Sequence, residues 1–509
     1  MSHTNQLAEL IAQAFRKFEK KIACDDLNQS YTYHELRLES EKTIGFLQKK
    51  QIRAKQRVGI CAPKSYASYA ALLGIIQSGG AYVPIDPTSP ISRINTIVSD
   101  SKPEGVIGEY EILQQMSEHY KDSVIEEIPG SVLFYLALSF DHKMDSSIPP
   151  EFVCILYTSG STGKPKGVMV THENAFSYVQ WAATSLSSFS AEDVFSSVAP
   201  FYFALSLFDL YVPLVYGAQI VLFSEKHIRN PMVLSSAIEK KKITVWYSTP
   251  SVLMLMMQYG KTERSDHSSI RLVCYAGEVF PSESLRQLRN KWPDKDIYNQ
   301  FGSTETNVCT SRKIPDVLPE NFDHRIIGNG CSHLNCKLLV NDVIHEPTIG
   351  TEGELVISGP AVSPGYFGTA AELSGEKFIT IGGNHWYRMG DWAIVNDQQE
   401  FKLLGRIDRM VKKRGNRIEL DEIEKAIAKH ALVDRSGVVT VQAKDELVIK
   451  AFIETVPDAE GFDLEDLQRF VRDQLPNYMI PDVWGRLDKI PLTSTHKIDY
   501  QSLKAMDNP

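Results

Sequence analysis

Short apolar runs alternate with amphipathic stretches along most of the chain. RVGICAP (57–63), AYVPI (81–85), FVCILYT (152–158), QIVLF (219–223), TVWYS (244–248) and RLVCYA (271–276) show no polar alternation. That is the pattern of strands buried on both faces. Helical spacing separates several of them, as over Tyr69 to Ser78 and Pro281 to Trp292. Strands divided by helices predict an α/β fold of parallel-rich sheets covered by helices. The polar, proline-bearing stretch 141–151 predicts a loop ahead of strand 152–158. A second break falls near Gly405. Beyond it the pattern predicts a basic segment and a helix from about Leu420 to His430. Paired strands over 436–442 and 447–454 follow, then a helix near Leu464 to Gln474. Together they make a small α+β unit of about a hundred residues. The chain has no internal repeat and no low-complexity tract.

Composition narrows the class. The 509 residues are 43% hydrophobic and 23% charged, which excludes a disordered or collagen-like chain. Their number suggests about three domain-sized units, or one large domain plus a smaller one. With 54 basic and 63 acidic side chains the formal charge is -9, so nucleic acid is not an expected partner. No apolar run approaches the roughly 20 residues of a membrane span, and no secretory leader is visible. Seven scattered cysteines suit a reducing compartment, hence a cytoplasmic location. Cys331 and Cys336 flank His333, but a zinc site wants four ligands and no second close pair follows. These thiols read as buried or loop cysteines.

The most distinctive segment is YTSGSTGKPKG, Tyr157 to Gly167, directly after a strand. Gly160, Gly163 and Gly167 let the backbone approach a ligand closely. Thr158, Ser159, Ser161 and Thr162 offer hydroxyls, and Lys164 and Lys166 add positive charge. Such a loop is a nest for phosphate oxygens. It is not a Walker A loop, because Pro165 follows Lys164 where that loop needs Ser or Thr for magnesium.

The loop resembles the signature of the adenylate-forming superfamily of acyl-CoA synthetases, luciferases, adenylation domains and free-standing ligases that load carrier proteins. The resemblance runs through almost the whole chain: GGAYVPIDPTSP (79–90), Ala276-Gly277-Glu278, NQFGSTET (299–306), GELVISGPAVSPGYFG (353–368), YRMGD (387–391), GRIDRMVKKRGNRIELDEIE (405–424), LPNYMIP (475–481) and THKID (495–499). It is nearest to the free-standing enzymes of the amino-acid-activating branch. It implies an N-terminal adenylation core over 1–404, a hinge over 405–409 centred on Asp408, and a mobile C-terminal domain over 410–509. The implied reaction joins a carboxylate to the α-phosphorus of ATP, releasing pyrophosphate. The acyl group then passes to the phosphopantetheine thiol of a carrier protein. About a dozen residues follow Lys497, too few for a carrier domain, so the carrier is expected in trans. A CoA ligase is the alternative acceptor reading; a non-catalytic nucleotide-binding member and luciferase-like oxidation come behind it.

Roles follow by position. Glu305 matches a magnesium-binding carboxylate, so ATP and Mg2+ are the expected cofactors. Thr304 matches an α-phosphate contact, Asn299 and Phe301 the adenine-binding amide and stacking ring. Gly277, Glu278 and Gly302 belong to the adenine-side motifs. Asp391 matches the acceptor for the ribose hydroxyls, and Arg406 an arginine on the phosphates. Lys497 matches the catalytic lysine, whose ammonium suits charge building on carboxylate and phosphate; Thr158 and Glu305 complete the catalytic set. The family's usual Asn-Gly-Lys is here Thr495-His496-Lys497, so a stiffer loop is expected. Taken alone, Lys412-Lys413-Arg414 reads as a solvated loop.

The acid pocket matches Ala204, Leu205, Phe208, Tyr247, Cys274, Ala276, Gln300, Val308 and Cys309. Several of these resemble free-standing members that load proline. Yet Ala204 stands where the family has an Asp that holds an α-amino group. An ammonium there without a carboxylate would cost roughly several kcal/mol of desolvation. The expected substrate is an amino acid, proline-like, or an acid without a free α-amino group. Asp209 is the candidate substitute anchor.

Overall fold

The computed structural model describes residues 6–52, 56–140, 152–160, 163–443, 446–456, 459, 461–493 and 498–506. The loop expected over 141–151 lies outside them, as do Ser161, Thr162 and Lys497.

Two large sheets carry the N-terminal part. One has parallel strands Arg57–Cys61, Ala81–Pro84, Gly105–Gly108 and Phe152–Thr158 at its centre, with Lys166–Thr171 antiparallel beside the last. The other is parallel from Ile22–Asp25 through Gln219–Leu222, Val194–Ser197, Val245–Ser248 and Leu272–Ala276 to Asp296–Ser303. From Asn307–Lys313 onward its pairings are antiparallel. The parallel-rich expectation therefore holds for the first 303 residues only. Between 307 and 406 no described α-helix exceeds four residues, so successive strands return by turns instead of crossovers.

The helices Gln6–Lys17, Tyr33–Lys49, Tyr66–Gln77, His172–Ser185 and Ser206–Tyr216 pack on one another and share one core with strands of both sheets. Tyr66–Gln77 is apolar all round and buried from Ala67 to Ile76, as a helix between layers must be. Burying Leu72, Leu73, Ile75 and Ile76 contributes roughly 2 kcal/mol each. Its start is fixed by a capping box. Ser65 Oγ accepts the Ser68 N–H at 3.2 Å, and Ser68 Oγ accepts the Ser65 N–H at 2.8 Å.

The C-terminal part has its own core. Strands Val433–Ala443 and Glu446–Thr455 pair antiparallel, and Val483–Arg486 adds parallel to the second. Helices Leu420–Ile427 and Leu464–Arg472 cover them with Ile423, Ile427, Leu467 and Val471, all buried. Ahead of this unit, Met410–Lys413 and Asn416–Glu419 form a hairpin. Its two turn residues, Arg414 and Gly415, have φ of 50° and 77°, the geometry of a type I′ turn.

Candidate active site

The phosphate loop hangs between two strands in fixed register, Thr158 opposite Lys166. It turns tightly: the Gly163 N–H donates to the Gly160 carbonyl at 2.9 Å, and Gly163 has φ +81°. A Cβ on Gly160 would lie 2.0 Å from the Lys164 carbonyl oxygen, so only glycine fits. Donors of this loop are already engaged by the C-terminal part. Ser159 Oγ donates to the Arg417 carbonyl at 2.6 Å, and the Gly160 N–H to Glu422 Oε2 at 2.9 Å. Glu422 is held in turn by Arg93 at 2.7 Å. Thr158 Oγ1 is buried with no hydrogen-bond partner. Lys164 is exposed, whereas Lys166 is buried with its ammonium over the Tyr366 ring.

On the other side of the opening, strands Asp296–Ser303 and Asn307–Lys313 are joined through a bulge at Phe301/Gly302. A Cβ on Gly302 would sit 1.7 Å from the Asn307 carbonyl oxygen. Lys412 places its ammonium 5.0 Å from the Phe301 ring centre and donates to the Gly302 carbonyl at 3.1 Å. The ring face expected to stack on adenine is thus covered by a cation. Asn299 is half-buried in the same strand. Gly277 has φ +91°, and Glu278 accepts from Ser251 Oγ at 2.5 Å while burial pushes its carboxyl up.

Asp391 and Arg406 are register partners on adjacent strands. Arg406 donates to Asp391 Oδ2 at 2.6 Å and to both oxygens of Asp408 at 2.7 and 2.9 Å. One guanidinium therefore joins the residues expected to hold ribose and to form the hinge.

Glu305 is fully buried. Arg417 donates to both its oxygens at 2.9 and 3.0 Å, and the Tyr366 hydroxyl donates to Oε1 at 2.9 Å. Burial alone would raise its pKa. Arg417 and Lys166 outweigh that and bring it down to about 2, so it is a carboxylate. The sequence reading gives Arg417 and Tyr366 no role, and Lys412 only that of a solvated loop residue. The readable signal was the Arg-Gly turn: its hairpin makes Lys412 and Arg417 register partners, on one face. The solvated-loop reading of 412–414 is corrected accordingly. Lys412 lines the cavity, Lys413 is buried and paired with Asp482, and only Arg414 is exposed, near Glu446.

A cavity of about 940 Å³, solvent-open mouth included, is lined by Lys412 and Arg417 but by none of Glu278, Asn299, Phe301 and Glu305. Thr158, Ser159, Gly277, Gly302, Thr304, Asp391 and Arg406 line it, as do Ala204, Leu205, Tyr247, Ala276 and Val308. Phe208, Cys274, Gln300 and Cys309 are buried and do not line it. Phe208 instead meets Tyr247 edge-on at 5.0 Å. Asp209 is wholly buried outside the lining, where burial pushes its carboxyl up against the pull of Lys64. As a substitute anchor it is misplaced. All seven cysteines are free and buried, and no cluster of metal-ligating side chains occurs among the described residues. No described helix is long and apolar enough to cross a membrane.

The chain is similar to known proteins over nearly its full length. Residues 11–367 match the family model "AMP-binding enzyme", and 422–497 match "AMP-binding enzyme C-terminal domain". An L-proline--[L-prolyl-carrier protein] ligase of Pseudomonas fluorescens is 32% identical over 504 residues, covering 98% of each chain. One of Streptomyces coelicolor is 32% identical over 511 residues, covering 94% of this chain and 92% of its own. In fold it is similar to an amide bond synthetase of Marinactinospora thermotolerans, with TM-score 0.85 and 19% identity over 98% of this chain and 100% of that one. The shared sequence from the first core helix to the C-terminal strands places this chain in the AMP-binding enzyme family.

Proposed function

We propose that this protein is an AMP-forming acid–thiol ligase that activates a small carboxylic acid with ATP and loads it onto a carrier protein. The observation that carries this reading is a cavity lined both by Thr158 and Ser159 of the phosphate loop, Asp391 and Arg406 and by the apolar Ala204, Leu205, Ala276 and Val308. Relatives named for loading prolyl groups onto a carrier support the choice of acceptor.

In the first half-reaction a carboxylate oxygen bonds to the α-phosphorus, and the bond to the bridging oxygen of pyrophosphate breaks. Two anions must meet, so positioning and charge neutralisation do the work. Loop amides and hydroxyls from Thr158 to Gly163 hold phosphate oxygens, Thr304 the α-phosphate, Asp391 the ribose, and Lys497 the carboxylate and α-phosphate. Glu305 suits Mg2+: it is an ionised, hard oxygen donor beside the phosphate loop, available once Arg417 withdraws. When bound there, Mg2+ would offset phosphate charge. In the second half-reaction the carrier thiolate attacks the acyl carbon and AMP leaves. The C-terminal part turns about Asp408 between the two, exchanging Lys497 for the hairpin that bears Lys412 and Arg417. Seven free, buried cysteines agree with a cytosolic setting.

Incubating the protein with ATP, Mg2+, an acid panel and either a phosphopantetheinylated carrier or CoA, with mass spectrometric readout, tests this. The expected product is acyl-carrier. Acyl-CoA alone would move the assignment to a CoA ligase, and no pyrophosphate release with any acid would overturn it.

A further inference from the structure

Helix Leu420–Ile427 of the C-terminal part lies directly against the phosphate loop. A Cβ on Gly163 would come within 2.8 Å of the Lys425 side chain. One turn earlier the helix presents Glu422. Its Oε1 accepts from Arg93 at 2.7 Å, and its Oε2 accepts the Gly160 N–H at 2.9 Å. The side chains of Arg93 and Glu422 are only 7% and 2% exposed. A carboxylate is thus sealed between a guanidinium and a backbone amide of the phosphate loop.

Arg93, in helix Ile91–Ser101, and Gly160 both belong to the N-terminal part, whereas Glu422 does not. Tyr478, whose hydroxyl lies in hydrogen-bonding reach of Arg93, also comes from the C-terminal part. Asp86 acts on Arg93 from the N-terminal side, but its two oxygens already accept from Thr88 and Ser89. When the C-terminal part turns away, Glu422 and Tyr478 leave together. Arg93 then keeps its full charge beside an unbonded loop amide, and a guanidinium that loses its partner wants another anion. Two oxygens of a phosphoryl group are spaced much like those of a carboxylate, and arginine binds either through the same fork. Phosphate is the anion that this loop is built to hold.

Building on the ligase reading, we propose that Arg93 and the Gly160 amide form a seat for the terminal phosphate of ATP and of pyrophosphate, and that Glu422 is the internal anion that fills this seat once pyrophosphate has left. Pyrophosphate and Glu422 then exclude each other. While the helix stays on the loop, pyrophosphate cannot return to reverse adenylation.

The test is isothermal titration of the full chain with magnesium pyrophosphate, which needs no acid. Glu422→Gln removes the internal anion and should tighten binding about tenfold. Adding Arg93→Gln to that variant should weaken binding about tenfold, the scale of one charged hydrogen bond. An arginine that only held the two parts together has no ion pair left to hold once residue 422 is neutral, so its replacement would then change nothing. Thermal melting checks that each variant folds. Arg93→Lys, the milder change, carries the comparison if the glutamine variant does not fold, with a loss of about threefold. In ATP–pyrophosphate exchange with an acid the parent accepts, the double variant should raise the KM for pyrophosphate about tenfold and leave the KM for the acid within about twofold. Binding not tightened by Glu422→Gln, or not weakened by the added arginine change, overturns the seat and leaves the ligase reading standing. No exchange with any acid of a broad panel overturns the ligase reading, and pyrophosphate as the occupant with it.

Discussion

Arg417 shows how one side chain sets the state of another. Buried carboxylates ordinarily favour the neutral form, yet two guanidinium hydrogen bonds keep Glu305 ionised. The same bonds occupy both oxygens that a metal would need. Arg417→Ala should therefore leave pyrophosphate exchange within about threefold of the parent, because in the proposed mechanism exchange uses a state in which Arg417 has withdrawn. Transfer to the carrier should fall about tenfold or more, since a lost charged hydrogen bond is worth roughly 1.5–3 kcal/mol. Measuring the two half-reactions separately decides this; an equal loss in both would show that Arg417 acts in adenylation as well. Asp391 calls for the opposite split. Asp391→Asn should raise the KM for ATP about tenfold through its effect on ribose binding, with a smaller change in the KM for the acid, in initial-rate assays.

At the scale of elements, the bulge at Phe301/Gly302 ties the central parallel strand to the antiparallel half of the sheet. Nothing larger than hydrogen fits at Gly302, given the Asn307 carbonyl oxygen 1.7 Å from an ideal Cβ. Asn307 itself is held at φ 54°. Gly302→Ala should cost roughly 3 kcal/mol and lower the melting midpoint by several degrees; an unchanged midpoint would mean the bulge relaxes freely. This part of the chain also marks the limit of what sequence reveals. Strand Phe152–Thr158 coincides with the apolar run FVCILYT, because a strand buried on both faces writes itself as an unbroken run. Strands from Asn307 to Arg406 are paired to one another through turns, and their register depends on partners distant in sequence. Likewise, the positions of Glu305, Asp391 and Arg406 along the motifs were legible, whereas the Arg417–Glu305 bond was not. A hairpin's inward face is readable from its turn, but which carboxylate it meets depends on how two separately folded parts pack.

The whole molecule carries its own pH response. His172 and His333 are pressed by burial down to about 4, against 6.5 for a free imidazole. Both are neutral in the fold, so between about pH 6.5 and 4 the unfolded chain binds more protons and stability falls as pH falls. Glu305, at about 2, remains ionised throughout that window, so the Arg417 bond persists while the fold weakens. Melting midpoints measured from pH 7 to 4.5 should decline accordingly. A His172→Gln, His333→Gln double variant should flatten the slope; an identical slope would assign the loss to other groups.

The contacts made by Ser159 and Gly160 to the C-terminal part have a thermodynamic corollary. If the phosphate loop binds nucleotide as proposed, the same donors would be claimed by its phosphates, and one hydrogen atom cannot serve both. Whatever factor the packed arrangement subtracts from nucleotide affinity, nucleotide subtracts from the stability of that arrangement, by linkage. The concentration of ATP thereby becomes a dial on molecular shape. A cell rich in ATP would keep most copies in the opened register and leave the packed one to the interval after pyrophosphate departs.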